Sequence, residues 1–250
     1  MVGEPRTVGP AFYARSGKSL SDWWNLLHPP YTIWHLSYAV IGAALAPDLN
    51  WGVLGATVLA FFLAVGVSAH ALDELHGRPL RTKISDRTLR VAAGLALAAA
   101  IALGVMGVIR GGYALVVLIP VGTVLVLAYN LELRGGRLHN DLGFALSWGG
   151  FPVVVGYAAQ QPPFAVARLA SVGLATLAAV ALAHAQRRLS TPARHLRRRA
   201  AGVFAEVRYA DGSHSRLERE GLLAPLEGGL RALSWAVPLL ASSLALAHLG

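Results

Sequence analysis

Long apolar runs separated by short polar ones make up most of the chain. The runs lie at residues 31–46, 52–72, 89–108, 113–131, 142–159, 164–184 and 228–248. A helix on the surface of a soluble domain alternates an apolar stripe with a polar face, whereas these runs stay apolar all round for several turns. Each approaches the ~20 residues that cross ~30 Å of hydrocarbon, the first being somewhat short. The pattern predicts an all-α polytopic membrane helical bundle of about seven transmembrane helices. Composition agrees, since 55% of the 250 residues are hydrophobic and only 14% are charged.

The polar segments differ in charge. Those at 1–30, 73–90, 132–141 and 185–227, with Arg231, hold 20 of the 22 Lys and Arg residues, and the alternate set holds only Arg110 and Arg168. The positive-inside rule therefore predicts a cytoplasmic N-terminus. No apolar stretch ending in a small-residue cleavage site precedes the first run, so no signal peptide is expected. Within the first 30 residues, "SLSDWWNLLHPP" predicts a short interfacial helix carrying Trp23 and Trp24, stopped by Pro29 and Pro30. The remainder, 31–250, reads as one bundle with its largest cytoplasmic loop at 185–227. In that loop Asp211-Gly212 sits between alternating segments and points to a β-hairpin within 203–217. The net charge of +9 and the run "RRLSTPARHLRRR" set topology and attract anionic lipids at the cytoplasmic face. No nucleic-acid partner is expected. The chain has no cysteine, which excludes disulfides and thiolate metal sites. The expected location is an integral, multi-pass position in a prokaryotic plasma membrane.

Ionisable groups at membrane depth are costly, by ~2.5–3.5 kcal/mol for a central charge on insertion scales, so each needs a partner or a purpose. Here they gather at the predicted cytoplasmic ends of the runs. "AVGVSAHALDELHGRPLRTKISD" (64–86) carries His70, Asp73 and Glu74 at i, i+3 and i+4, which share one helical face. His76 lies roughly 120° away by 3.6-residue periodicity and ranks lower. Glu132 follows the fourth run, His139 and Asp141 precede the fifth, His184 closes the sixth, and His35 lies at similar depth in the first. Imidazoles and carboxylates at one depth form a set suited to a divalent metal. Arg134, Arg137, Arg187 and Arg188 stand near enough in sequence to meet anionic oxygens. His214 and His248 read as loop and terminal residues without a role.

Several of these stretches resemble the UbiA superfamily of intramembrane prenyltransferases. "LLHPPYTIWHLSYAVIGAALA" looks like its first helix, "HALDELHGRPLRTKIS" like its first aspartate-rich segment, and "AYNLELRGGRLHNDLGFALSWGGFPVVVGYAA" like its fourth-to-fifth helix region. The resemblance implies an all-helical bundle with a lipid-facing tunnel for a prenyl chain, and two aspartate-rich motifs binding diphosphate through magnesium. The family's first motif reads approximately Asn-Asp-x-x-Asp-x-x-x-Asp. Here Ala69 stands for the Asn, His70 for the first Asp, Asp73 keeps the second and Gly77 replaces the third. At the second motif "LAHAQRRLSTPARH" offers His184 and Gln186 but no carboxylate, and the family's usual nine spans compare with seven here.

Replacing Asp by His changes the metal expected. Magnesium prefers oxygen ligands, whereas imidazole suits iron first, then zinc or manganese. The reading that follows is a metal-dependent intramembrane enzyme with a His/carboxylate site, non-haem iron in particular, acting on an isoprenoid or other long-chain membrane lipid. One alternative is a divergent prenyltransferase using Mg2+ and a prenyl diphosphate; another is a non-catalytic lipid- or quinone-binding protein. A bundle of seven spans is expected to have a wide side entrance, or to cover it as a homo-oligomer.

Overall fold

In the computed structural model, residues 11–15, 19–200 and 202–250 are described; parts of the N-terminal segment (1–10 and 16–18) and residue 201 lie outside them. Helix α1 (Ser19–Leu27) packs its Leu26 against Ala71, Ile84 and Leu89. It is followed by α2 (Pro29–Ala44), α3 (Trp51–Leu75), α4 (Asp86–Ile109), α5 (Leu115–Asn130), α6 (Asp141–Ala159), α7 (Val166–Arg198) and α8 (Arg219–Leu246). Helices α2 to α8 occupy the seven segments expected to span. Among the described residues, α3, α4, α6, α7 and α8 are long and apolar enough to cross a membrane, and α5 is a shorter apolar helix. Large apolar side chains such as Leu95, Val117, Leu174, Leu177 and Trp235 are exposed on the outside of the bundle, as a lipid solvent allows.

Local chemistry sets the boundaries. Pro29 and Pro30 open α2, where a missing N–H costs nothing. The side chains of Asn50, Ser85 and Asn140 accept from Val53, Thr88 and Gly143 N–H and so cap α3, α4 and α6. Two helices depart from the regular ladder: Phe62–Ala69 within α3 and Leu146–Gly150 within α6 are π-helical. Helix α7 continues to Arg198, and α8 begins at Arg219, so much of the segment expected as a loop at 185–227 is helical. Between them β1 (Ala205–Arg208) pairs antiparallel with β2 (His214–Leu217), with Glu206 opposite Arg216. Gly212, at φ 82°, makes the left-handed turn residue of that hairpin.

The two ends of the bundle are built differently. At one end the turns are tied to one another: Asn50 N–H donates to Gln160 Oε1 at 2.9 Å, Gln161 Nε2 to Arg110 O at 3.3 Å, and the His248 ring to Ala44 O at 2.9 Å. The other end carries α1, the basic loops and the polar cavity described below. Between them Trp34, Tyr38, Val153, Ala183 and Leu230 form the core where α2, α6, α7 and α8 meet.

The tightest contact joins α2 to α6. A Cβ added to Gly42 would fall 2.0 Å from Val153 O, and one added to Gly156 would fall 2.0 Å from Ala39 O. Each glycine thus admits the backbone of the other helix. Gly42→Ala and Gly156→Ala are each expected to force the helices apart and lower unfolding stability by at least ~1–3 kcal/mol. Gly55→Ala, where nothing lies within 4 Å, is expected to cost little. Thermal unfolding of the purified variants in detergent measures the difference.

Candidate functional site

A cavity of about 190 Å³ opens at the basic end. His35 from α2, His70 and Asp73 from α3, and His139 from the turn before α6 contribute to its wall. The π segments are part of this construction. His70 Nδ1 donates to Gly66 O at 3.0 Å and His35 Nδ1 to Trp148 O at 2.9 Å, and both carbonyls belong to π-helical turns. His139 Nδ1 donates to Tyr129 O at 3.1 Å while its ring stacks on Tyr129. A carbonyl can only accept, so all three imidazoles, when neutral, carry the proton on Nδ1 and keep Nε2 as an acceptor.

His28 enters from the turn between α1 and α2, in a left-handed conformation (φ 45°, ψ 54°). Its Nδ1 is hydrogen-bonded to the Tyr13 hydroxyl, and its ring meets His70 edge-on with centroids 4.8 Å apart. Burial, followed by the positive charges around it, holds the His28 imidazole well below its usual range. Burial likewise holds the Tyr13 phenol well above its own, so both are neutral at physiological pH. The short segment bearing Tyr13 is fastened to α1. Trp24 Nε1 donates to Tyr13 O at 3.0 Å, and Asn25 exchanges two bonds with the Arg15 backbone at 2.9 and 2.8 Å.

The opposite wall is α7, which contributes Gln186, Arg187, Ser190, Arg194, Arg197 and Arg198. Arg187 donates to Asp141 Oδ1 at 3.0 Å and to the Tyr129 hydroxyl at 2.9 Å. Arg197 forms a two-pronged pair with Glu227 of α8, and Arg198 donates to Pro79 O at 2.8 Å.

The expected residues therefore divide. His35, His70, Asp73 and His139 line the cavity, whereas Glu74, Glu132, Asp141 and His184 do not. Glu74 is fully buried on another side of α3, where its carboxylate accepts from Leu80 N, Thr82 N and Thr82 Oγ1 at 2.8–2.9 Å and organises the following loop. Glu132 is exposed, 3.7 Å from the His76 and His139 rings. Asp141 is engaged by Arg187, and His184 is exposed on α7. Of the expected anion-binding arginines only Arg187 reaches the cavity; Arg134, Arg137 and Arg188 are exposed elsewhere. Among the described residues, no group of three or more His, Asp or Glu side chains is arranged to hold a metal ion. His28 was visible in the "HPP" before the first run, and Arg194, Arg197 and Arg198 in the basic run, but neither was read as part of a site.

A second cavity, of about 290 Å³, lies between α3, α4, α5 and α6. Its wall is mostly apolar, with Ala60, Ala64, Leu97, Ile101 and Leu118 among its residues, and its polar side chains are Thr57, Thr123, Arg110 and Gln161. Val65 and Trp148 line both cavities. A polar chamber and an apolar one thus share a wall.

No family model matches the chain, and no curated protein matches it. Among solved structures it is similar to a UbiA homolog from Archaeoglobus fulgidus bound to Cd2+. The identity is 14% and the TM-score 0.53, over 91% of this chain and 85% of that one. The chain has a UbiA-like fold. That agrees with the architecture implied by the sequence resemblance, a helical intramembrane scaffold, at an identity that speaks for fold alone.

The magnesium clamp implied by the resemblance does not fit these residues. The carboxylates on the cavity wall are Asp73 and Glu227, and Glu227 is already paired with Arg197. Asp73 and Glu74, adjacent in sequence, should behave oppositely on substitution. Glu74→Ala strands three donors and is expected to destabilise the protein by several kcal/mol, at ~1–3 kcal/mol for each unsatisfied buried group. Asp73→Asn should leave the unfolding temperature nearly unchanged. Equal losses in the two variants would contradict this division of labour.

Proposed function

We propose that the protein is an intramembrane enzyme acting on an isoprenoid or other long-chain lipid, with the chain in the apolar cavity and the reacting head in the polar one. The observation that carries this reading is the wall shared by the two chambers at Val65 and Trp148. An amphiphile lying across it would bury its chain among apolar side chains and keep its head among imidazoles and guanidiniums. His28 and His70, in contact with each other beside Asp73, are the groups suited to move a proton at that head.

A metal-dependent version draws support from one feature of the histidines. Donating Nδ1–H to a carbonyl is the usual outer-shell arrangement of a metal-bound imidazole, and His35, His70 and His139 share it. Donors of this type with Asp73 suit iron, zinc or manganese better than magnesium. The solved neighbour is described as bound to Cd2+, which concerns that protein. Among the described residues these side chains do not converge as a ligand set.

Protein purified without chelator tests both versions. Mass spectrometry of the extract is expected to find close to one long-chain lipid per chain, and Ala64→Trp, which fills the apolar cavity, to displace it. Retention of the same lipid by that variant would count against the two-chamber reading. Stoichiometric iron, zinc or manganese in the same sample would support the metal-dependent version, and less than about a tenth of an equivalent, unchanged after adding these ions, would remove it.

The basic end is proposed to face the cytoplasm, because the loops there carry most of the Lys and Arg. In this cysteine-free chain, Gly212→Cys should be labelled by an impermeant maleimide only after the cells are opened. Labelling in intact cells would reverse the orientation.

A further inference from the structure

We infer that the polar cavity recognises the phosphate or diphosphate of its lipid directly through an arginine ladder on α7, without a divalent metal. This rests on the lipid reading above and assigns the head group that the site would take. The starting observation is one of register. Arg187, Arg194 and Arg198 are spaced i, i+7 and i+11, which brings them within about 20° of one line along a helix and spreads them over about 16 Å. All three line the cavity, Arg187 largely covered within it and Arg194 and Arg198 exposed toward its mouth.

The rungs are held in different ways. Arg187 is the inner one, its side chain only 17% exposed and braced by Asp141 and Tyr129. Arg198 is fixed by the Pro79 carbonyl, which ties the ladder to the loop that Glu74 organises. Arg194, between them, makes no hydrogen bond or ion pair with any described residue, although its charge acts on both Tyr13 and His28 across the cavity. Directly before Arg187, Gln186 is 2% exposed, and its Oε1 is buried without a hydrogen-bond partner among the described residues. Turning that amide over presents Nε2–H to the cavity, since the two orientations are nearly equivalent in shape. Guanidiniums and an amide N–H are the donors that phosphate oxygens accept from most strongly.

Metal bridging would need acids, and the wall facing the ladder supplies Asp73 alone. The other carboxylates near the cavity, Asp141 and Glu227, already brace Arg187 and Arg197. When neutral, the imidazoles of that wall offer Nε2 acceptors, which suit a hydroxyl or other protic group and not an anion. The anionic end therefore belongs on α7.

The test uses the full-length protein in nanodiscs of phosphatidylcholine, with farnesyl diphosphate, farnesyl monophosphate, uncharged farnesol, inorganic diphosphate and dihexanoyl phosphatidate as probes. Binding is read from intrinsic fluorescence, since Trp148 stands in the shared wall. Farnesyl diphosphate or monophosphate should bind in excess EDTA, with affinity changed less than about threefold by millimolar Mg2+. Arg194→Gln should weaken that binding about tenfold or more, the scale of a lost charge-assisted hydrogen bond, and leave farnesol binding unchanged. Arg168→Gln, at the far end of α7, should alter neither. Competition by dihexanoyl phosphatidate would identify a glycerolipid phosphate as the source of the head, and competition by inorganic diphosphate alone a free anion; both leave the ladder as the receptor. Loss of charged-probe binding in EDTA, or an Arg194→Gln variant that binds as the parent does, would overturn the inference. Farnesol binding to the parent in those cases would leave the lipid reading standing, whereas failure of every chain-bearing probe would remove that reading too.

Discussion

The approach of α2 to α6 at Gly42 and Gly156 is the constraint on which the rest of the molecule depends. At this crossing each helix lies where a single methyl group on the other would clash with its carbonyl oxygen. In lipid no hydrophobic driving force separates helix surface from solvent, so contact of this kind, made by small residues, is what holds helices together. Two turns along α2 from Gly42 stands His35, and its partner Trp148 lies two turns along α6 from Gly156. The hydrogen bond between them follows from the crossing, and so does the wall of the cavity they line. Gly149 and Gly150 continue the arrangement on the other side of α6, where added Cβ atoms would meet α7 at Ala179, Ala183 and Val180. Helix α6 is thus fixed from two directions, and α7 with its arginines is positioned against it.

Widened turns supply the polar lining without breaking the helices. A π turn alters the regular register, and here it coincides with a histidine donating to one of its carbonyls, Gly66 in α3 and Trp148 in α6. The imidazoles gain a fixed tautomer and the backbone keeps its polar groups satisfied, which lipid requires more strictly than water does. Glu74 serves the same economy at the end of α3. It sits where a carboxylate would be expensive, and three donors from a loop of only a few residues offset that cost.

Much of this was legible in the sequence, and the failures are local. Apolar runs located helices α2 to α8 because membrane burial leaves a signal in every residue of a span. His70 and Asp73 line the same cavity, whereas Glu74 parts from them. A face defined by i, i+3 and i+4 spans about 100° between its outer members, and a helix at the edge of a cavity presents one of them to the cavity and the other to a loop. The arginine ladder escaped because hydropathy ends a helix where its residues turn polar, although α7 continues to Arg198. Its 7- and 11-residue spacings were present in "RRLSTPARHLRR", but nothing in the sequence showed that a cavity lay on that side.

The chemistry of the two walls gives the site different sensitivities. Guanidiniums keep their charge at every pH a cell reaches, so attraction of an anionic head to α7 depends on ionic strength and hardly on pH. The imidazoles opposite are pinned by hydrogen bonds, and for His28 burial and nearby positive charge both oppose protonation. A cationic wall that holds an anion and a wall of imidazoles with Asp73 face each other across the chamber. The apolar cavity beyond Val65 and Trp148 has one guanidinium on its wall, Arg110, against the four that line the polar chamber. An amphiphile in these chambers consequently has one favourable direction, with its chain toward α4 and α5 and its anionic end toward α7.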